Sequence, residues 1–144
     1  MNQTAHPARR QPKRTAIRHL AIGHDAIDAD HKIIVDCCNQ VAVCDLAEFE
    51  FLIRRLQVLF IDHFRKESDL LASVGGTLCS CHRVDHEELL AICDRAKKLH
   101  LRDHRAAQRL IRRDLARALR EHIVSRDQVV ALRLNSAENG CRMR

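Results

Sequence analysis

Gly75-Gly76 is the only double glycine in this 144-residue chain, and histidines and carboxylates are placed symmetrically about it. His63 with His86, and Glu67 with His82, share a midpoint between Val74 and Gly75. Paired antiparallel helices each rise ~1.5 Å per residue, so residues equidistant from a turn lie at one height. Glycine is also the residue a tight turn most needs. Two further pairings obey the same rule. His31 and His63 centre beside Asp45, while His86 with His122 and His82 with Asp127 centre next to Arg102-Asp103-His104-Arg105. Three turns would bring His31, His63, Glu67, His82, His86, His122 and Asp127 into one layer.

Both prolines, Pro7 and Pro12, precede this region, so no proline interrupts long helices beyond them. Apolar residues recur there at helical spacing. One stripe runs through Phe49, Leu52, Ile53, Leu56, Leu59, Phe60, Phe64, Leu70 and Leu71, with His63 and Glu67 on it. A second joins His82, His86, Leu89, Leu90, Cys93 and Ala96, and a third Leu110, Ile111, Leu115, Ala118, Leu119, His122 and Ile123. The first helix is expected from about Asp28, as N-cap, to Cys44, with His31, Ile34, Val35, Cys38 and Val41 or Ala42 inward. A hydrophobic content of 46% is enough for one core. The expected fold is all-α, an up-down-up-down four-helix bundle over residues 20–134. A basic, disordered arm (1–19) and a frayed tail (135–144) are expected to flank it.

His63 and Glu67, and His82 and His86, are i,i+4 pairs, each able to chelate from one face of an unbroken helix. His122 and Asp127 are i,i+5, ~140° apart on a regular helix, and need a distortion such as a π-bulge or a carboxylate reaching sideways. Five buried histidines held by ordinary hydrogen bonds would crowd one level of a small core with polar groups. Metal binding is the better account. Zinc suits these residue types, but seven ligands exceed one tetrahedral site and two shared carboxylates suit a dinuclear centre.

Four segments carry a family resemblance: Ile27-Asp28-Ala29-Asp30-His31-Lys32, His63-Phe64-Arg65-Lys66-Glu67, His82-Arg83-Val84-Asp85-His86, and Leu119-Arg120-Glu121-His122-Ile123-Val124-Ser125-Arg126-Asp127. The chain resembles the hemerythrins, most closely the single-domain bacteriohemerythrins, over about residues 22–132. The resemblance implies two iron ions with an oxo or hydroxo bridge. His82, His86 and His122 would bind one iron, His31 and His63 the other, and Glu67 and Asp127 would bridge them. The first iron then has six ligands and the second five. The open position implies reversible O₂ binding by a carrier, store or delivery protein. With two carboxylates rather than the four of Glu-x-x-His di-iron bundles, binding is favoured over oxidation chemistry. Sensing of O₂, NO or redox state through an unidentified protein partner is the alternative, followed by an enzyme handling peroxide or NO.

Where many members have Trp before the Leu-x-x-His segment, this chain has Ala118, and Val74-Gly75-Gly76 replaces an aromatic-proline element. Leu119 and Ile123 are expected to wall the O₂ pocket. With 3% aromatic residues the pocket is expected to be wetter and its iron to oxidise faster than in aromatic-rich relatives.

Seven cysteines, an odd number, in a chain without a secretory hydrophobic segment argue against a disulfide framework and for a cytoplasmic protein. Cys79-Ser80-Cys81-His82 is one residue short of a haem attachment motif. Cys38 and Cys93 share the faces of His31 and His86 and are expected in the core, with Cys37, Cys44, Cys79 and Cys81 more exposed. Arg9, Arg10, Lys13, Arg14 and Arg18 meet no acid before Asp25, but Tyr and Trp are absent, so nucleic-acid binding is disfavoured. No apolar run approaches a membrane span, and the sequence does not set the oligomeric state.

Overall fold

The computed structural model describes residues 17–142, and all regular structure there is helical. Helix α1 spans Asp25–Val41, α2 Leu46–Ser73 and α3 Ser80–His100. The fourth helix, α4 (104–142), is continuous but not uniform. Its α-helical segments His104–Leu110, Ala116–His122 and Gln128–Arg142 alternate with π-helical turns at Ile111–Leu115 and Ile123–Asp127. Packing of α1 on α2, α2 on α3, α3 on α4, and α4 back on α1 and α2 closes the four-helix bundle.

Each turn has a chemical cause. Asp45 caps α2 by accepting the Ala47 and Glu48 N–H groups at 3.0 Å, and Asp103 caps α4 through Ala106 N–H at 2.8 Å. After α2, Gly76 N–H donates to Leu71 O at 2.8 Å and Gly75 N–H to Ala72 O at 3.0 Å, the paired bonds of a Schellman end. Gly75 supplies the left-handed φ of 72° that this end requires. Gly76 is needed for space, because a Cβ there would stand 2.9 Å from Leu71 Cγ.

Two starts differ from the sequence expectation. Helix α1 begins at Asp25 after His24, not at an Asp28 cap. The Asp28 carboxylate instead reaches back to accept Ile22 N–H at 2.7 Å and Gly23 N–H at 3.0 Å, holding the approach to the helix rather than its first turn. Ile17, assigned to the arm, exchanges two hydrogen bonds with the Asn39 side chain at 2.8 and 3.0 Å. Residues 1–16 of the expected arm lie outside the described residues. At the other end α4 continues past Leu134 to Arg142, and Asn135 Nδ2 donates to Gly23 O at 2.8 Å.

The core has two parts. A large cluster includes Ile34, Val35 and Cys38 of α1, Phe49, Ile53, Leu56 and Phe60 of α2, Leu89 and Cys93 of α3, and Ile111, Leu115 and Leu119 of α4. A smaller one, Ile27, Leu71, Leu78, Val130 and Leu134, lies towards the Gly75-Gly76 end. At the opposite end α4 fastens the end of α1. Gln108 Nε2 donates to Cys44 O at 2.8 Å, His104 Nε2 lies 3.2 Å from the same oxygen, and Arg112 reaches Ala42 O at 3.2 Å. Cys37 and Cys44 are buried, not exposed as expected. Cys37 Sγ packs against Leu52 O and Cys44 Sγ against Val41 O. Cys38 and Cys93 are fully buried, as expected, and Cys79 and Cys81 are exposed. No described helix is long and apolar enough to cross a membrane.

Candidate metal centre

His31 projects from α1, His63 and Glu67 from α2, His82 and His86 from α3, and His122 and Asp127 from α4. All seven are buried. They form two groups whose ligand atoms lie within 4.8 Å of one another. Glu67, His82, His86, His122 and Asp127 make one, and His31, His63 and Asp127 the other. Asp127 belongs to both. Its Oδ2 lies 2.9 Å from His31 Nε2 and 3.7 Å from His63 Nε2, and its Oδ1 is 2.8 Å from His122 Nε2 and 3.2 Å from His82 Nε2. Glu67 Oε2 faces His82 Nε2 at 3.1 Å and His86 Nε2 at 3.4 Å.

The π turn Ile123–Asp127 is what admits Asp127 to both groups. On a regular α-helix five residues carry a side chain well off the starting face, whereas the wider π turn returns it. The second π turn, Ile111–Leu115, has no counterpart in the sequence reading. It buries Ile111 and Leu115 against α1 and α3.

The layer is chemically incomplete as protein alone. His63 Nε2, His82 Nε2, His86 Nε2, His122 Nε2, both Glu67 oxygens and Asp127 Oδ1 are buried without a hydrogen-bond partner. Each such atom costs ~1–3 kcal/mol, and native cores hold few of them. His122 Nε2 and Asp127 Oδ1 approach to 2.8 Å without hydrogen-bond geometry, the arrangement of two donors aimed at a common ion. Five imidazoles and two carboxylates are a donor set for first-row transition metals.

Charge balance shows the same frustration. Burial opposes ionisation of Asp127, but the imidazoles of His122, His31 and His63 hold its carboxyl well below the usual range. Burial likewise disfavours charge on His63 and His82. The Asp127 and Asp30 carboxylates nonetheless raise His63 to about 9, and Asp127 and Glu67 raise His82 to about 9. For His86 burial prevails and its pKa falls. Protons thus occupy in part the places that a cation would take.

Behind the ligands stand two acids that the sequence reading quoted but gave no role. Asp30 Oδ2 lies 3.6 Å from His63 Nδ1, with Lys66 Nζ 2.6 Å from its other oxygen. Asp85 Oδ2 lies 3.8 Å from His122 Nδ1 and accepts Arg126 Nε at 2.8 Å. A movement of about 1 Å would make either imidazole contact a hydrogen bond of the kind that orients a metal-bound histidine. The legible signal was that each acid immediately precedes another ligand, His31 or His86. Phe64 was also missed as a site element. Its ring stacks on His86 with centroids 3.6 Å apart and planes at 9°.

Ala118 lines a polar cleft of about 250 Å³ together with Asp85, Glu88, Glu121, His122 and Arg126. Leu119 and Ile123 are buried on the same helix as His122.

The hemerythrin HHE cation binding domain model matches residues 22–134. No curated protein and no solved structure matches the chain. The two buried ligand groups have the composition of a hemerythrin-type di-iron centre. Matched across the bundle, and holding a buried cluster of His, Asp and Glu consistent with a hemerythrin-type metal site, the chain belongs to the hemerythrin family.

Proposed function

We propose that this protein binds O₂ reversibly, as a carrier or store, at an iron pair held by His31, His63, Glu67, His82, His86, His122 and Asp127. The observation that carries the reading is the uneven division of imidazoles about Asp127, with three on one side and two on the other. With Asp127 shared and Glu67 grouped with the three imidazoles, the His31 and His63 side has fewer ligands than its neighbour and would keep room for a small molecule. An iron pair held there in its reduced state would supply the two electrons for reversible O₂ binding.

The rest of the work falls to the protein. Asp30 and Asp85, each paired with a cation, stand where a movement of about 1 Å would let them orient the imidazoles of His63 and His122. Leu119 and Ile123 form the wall of the vacancy in this reading. Their burial limits the water that would carry protons to the centre. Phe64 shields the His86 face. The protein acts as a binding protein rather than an enzyme, in the cytoplasm.

The test is to load the full chain with iron, reduce it without air, admit O₂, and then remove the gas under vacuum while recording the visible spectrum. Return to the colourless starting spectrum over repeated cycles supports reversible binding. One-way conversion replaces the reading with sensing or with peroxide or NO chemistry.

A further inference from the structure

Beyond the metal layer, two cysteines meet at the start of α3. Cys79 is its N-cap, in extended backbone (φ −68°, ψ 162°), and its sulfur accepts the His82 N–H at 3.3 Å. The Cys81 side chain stands beside the same sulfur, two residues further on in the first turn of the helix. Both cysteines are exposed, in contrast to Cys37, Cys38, Cys44 and Cys93. Because Cys79 lies just outside the helix, its side chain is not fixed on the face away from Cys81, as two helical residues two positions apart would be. Beside the pair, Leu71, Leu78, Cys79, His82, Arg126 and Arg133 contribute to a half-open cavity of about 250 Å³. Apolar walls and two guanidinium groups suit a small molecule bearing carboxylates.

We propose that Cys79 and Cys81 form a dithiol switch, oxidised to an intrachain disulfide by a small anionic disulfide of the glutathione type, and that this oxidation speeds metal release through His82. The exchange is balanced. One cysteine sulfur attacks the oxidant, whose S–S bond breaks to release one thiol. The other cysteine then attacks the mixed disulfide and expels the second thiol. The two thiol protons of the chain end on the released thiols, and the two electrons lost by the cysteines reduce the oxidant. In the product, the Cys79 sulfur is bonded to Cys81 and drawn off the cap, so the His82 N–H loses its acceptor. The first turn of α3 loosens, and with it the backbone that aims His82. This rests on the ligand role of His82 but not on what the metal itself binds.

The experiment uses the full chain loaded with ferrous iron, held without air and titrated with glutathione disulfide. Alkylation and peptide mass analysis follow the thiols, while transfer of iron to a chelating dye follows the metal. The expected result is loss of two hydrogens confined to the peptide containing Cys79 and Cys81, with iron transfer accelerated about fivefold, the scale of losing one helix cap. Cystamine, a cationic disulfide, should oxidise the pair more slowly. Cys81→Ser should leave both the cap and the iron content of the reduced protein intact and abolish the acceleration. Cys79→Ser, which keeps an oxygen at the cap, should do the same. Persistent mixed disulfides, bonds between chains, an intrachain disulfide that leaves iron transfer unchanged, or acceleration that survives in either variant would each overturn the proposal. Cystamine outpacing glutathione disulfide would overturn its anionic part.

Discussion

His122 and Asp127, five residues apart in one helix, meet at 2.8 Å because the turn between them is π-helical. The same turn puts the other Asp127 oxygen 2.9 Å from His31 on α1. Asp127 is thus the one side chain shared by both ligand groups.

Asp127→Asn should therefore cost the protein both ions, whereas His31→Ala should weaken one side first. Iron per chain, measured by elemental analysis after desalting, is expected to fall to near zero in the first variant and to about half in the second. Equal retention of iron by Asp127→Asn and the parent would refute the sharing.

Asp85→Asn keeps the shape of the side chain but removes the charge beside His122 Nδ1. Loss of such a supporting contact weakens metal binding about 10–100-fold. Competition with a chelator of known affinity should show this while the far-ultraviolet circular dichroism is unchanged. Asp30→Asn should act likewise through His63, and affinities equal to that of the parent would show that the acids serve only Lys66 and Arg126.

The metal-free protein should lose stability as pH rises from about 6.5 to 9. In the folded chain His63 and His82 are raised to about 9, above their ordinary 6.5. Groups raised on folding add stability that is complete below the unfolded pKa and is lost on passing through the folded one. Metal takes neutral imidazole, so affinity should climb over the same interval. Denaturation midpoints and metal affinities measured across that range should move in opposite directions. Parallel movement would argue against protons and metal competing for one layer.

Ala118→Trp should fill the polar cleft beside His122 and slow oxidation of the loaded centre by O₂. Stopped-flow decay of the O₂-bound spectrum measures it. A half-life no longer than the parent's would mean that water reaches the centre by another path.

Phe49 is fully buried and stacks on His100 with ring centroids 4.3 Å apart. Phe49→Ala should destabilise the bundle by ~3–5 kcal/mol in chemical denaturation, the cost of emptying a packed aromatic site. A loss below ~1 kcal/mol would mean that the site collapses.

What the sequence disclosed was governed by local chemistry and by simple symmetry. Asp45, Gly75-Gly76 and Asp103 are turn and cap residues wherever they fall, so the helix ends near them were legible, and equal spacing about the turns set the ligand heights. The five-residue interval from His122 to Asp127 asked for a distortion, and a π turn supplies it. Asp30 and Asp85 were not assigned because an acid beside basic residues on a polar helix face has the pattern of a solvated ion pair. Their relation to His63 and His122 depends on the approach of a different helix. Cys37 and Cys44 were misplaced for a related reason, since the packing that covers them comes from beyond their own local stripe.

The bonds from Gln108, His104 and Arg112 to the end of α1 involve protein groups alone. The Ala42 contact lies about 16 Å from His31 at the helical rise per residue, and the Cys44 contacts lie just past the end of α1. The opposite extremity is closed by protein groups as well, through the cluster of Ile27, Leu71, Leu78, Val130 and Leu134 and the Asn135 bond to Gly23 O. The ligand layer thus lies between two ends held by protein contacts, and its buried, unpartnered atoms are the part of the interior that a cation would complete.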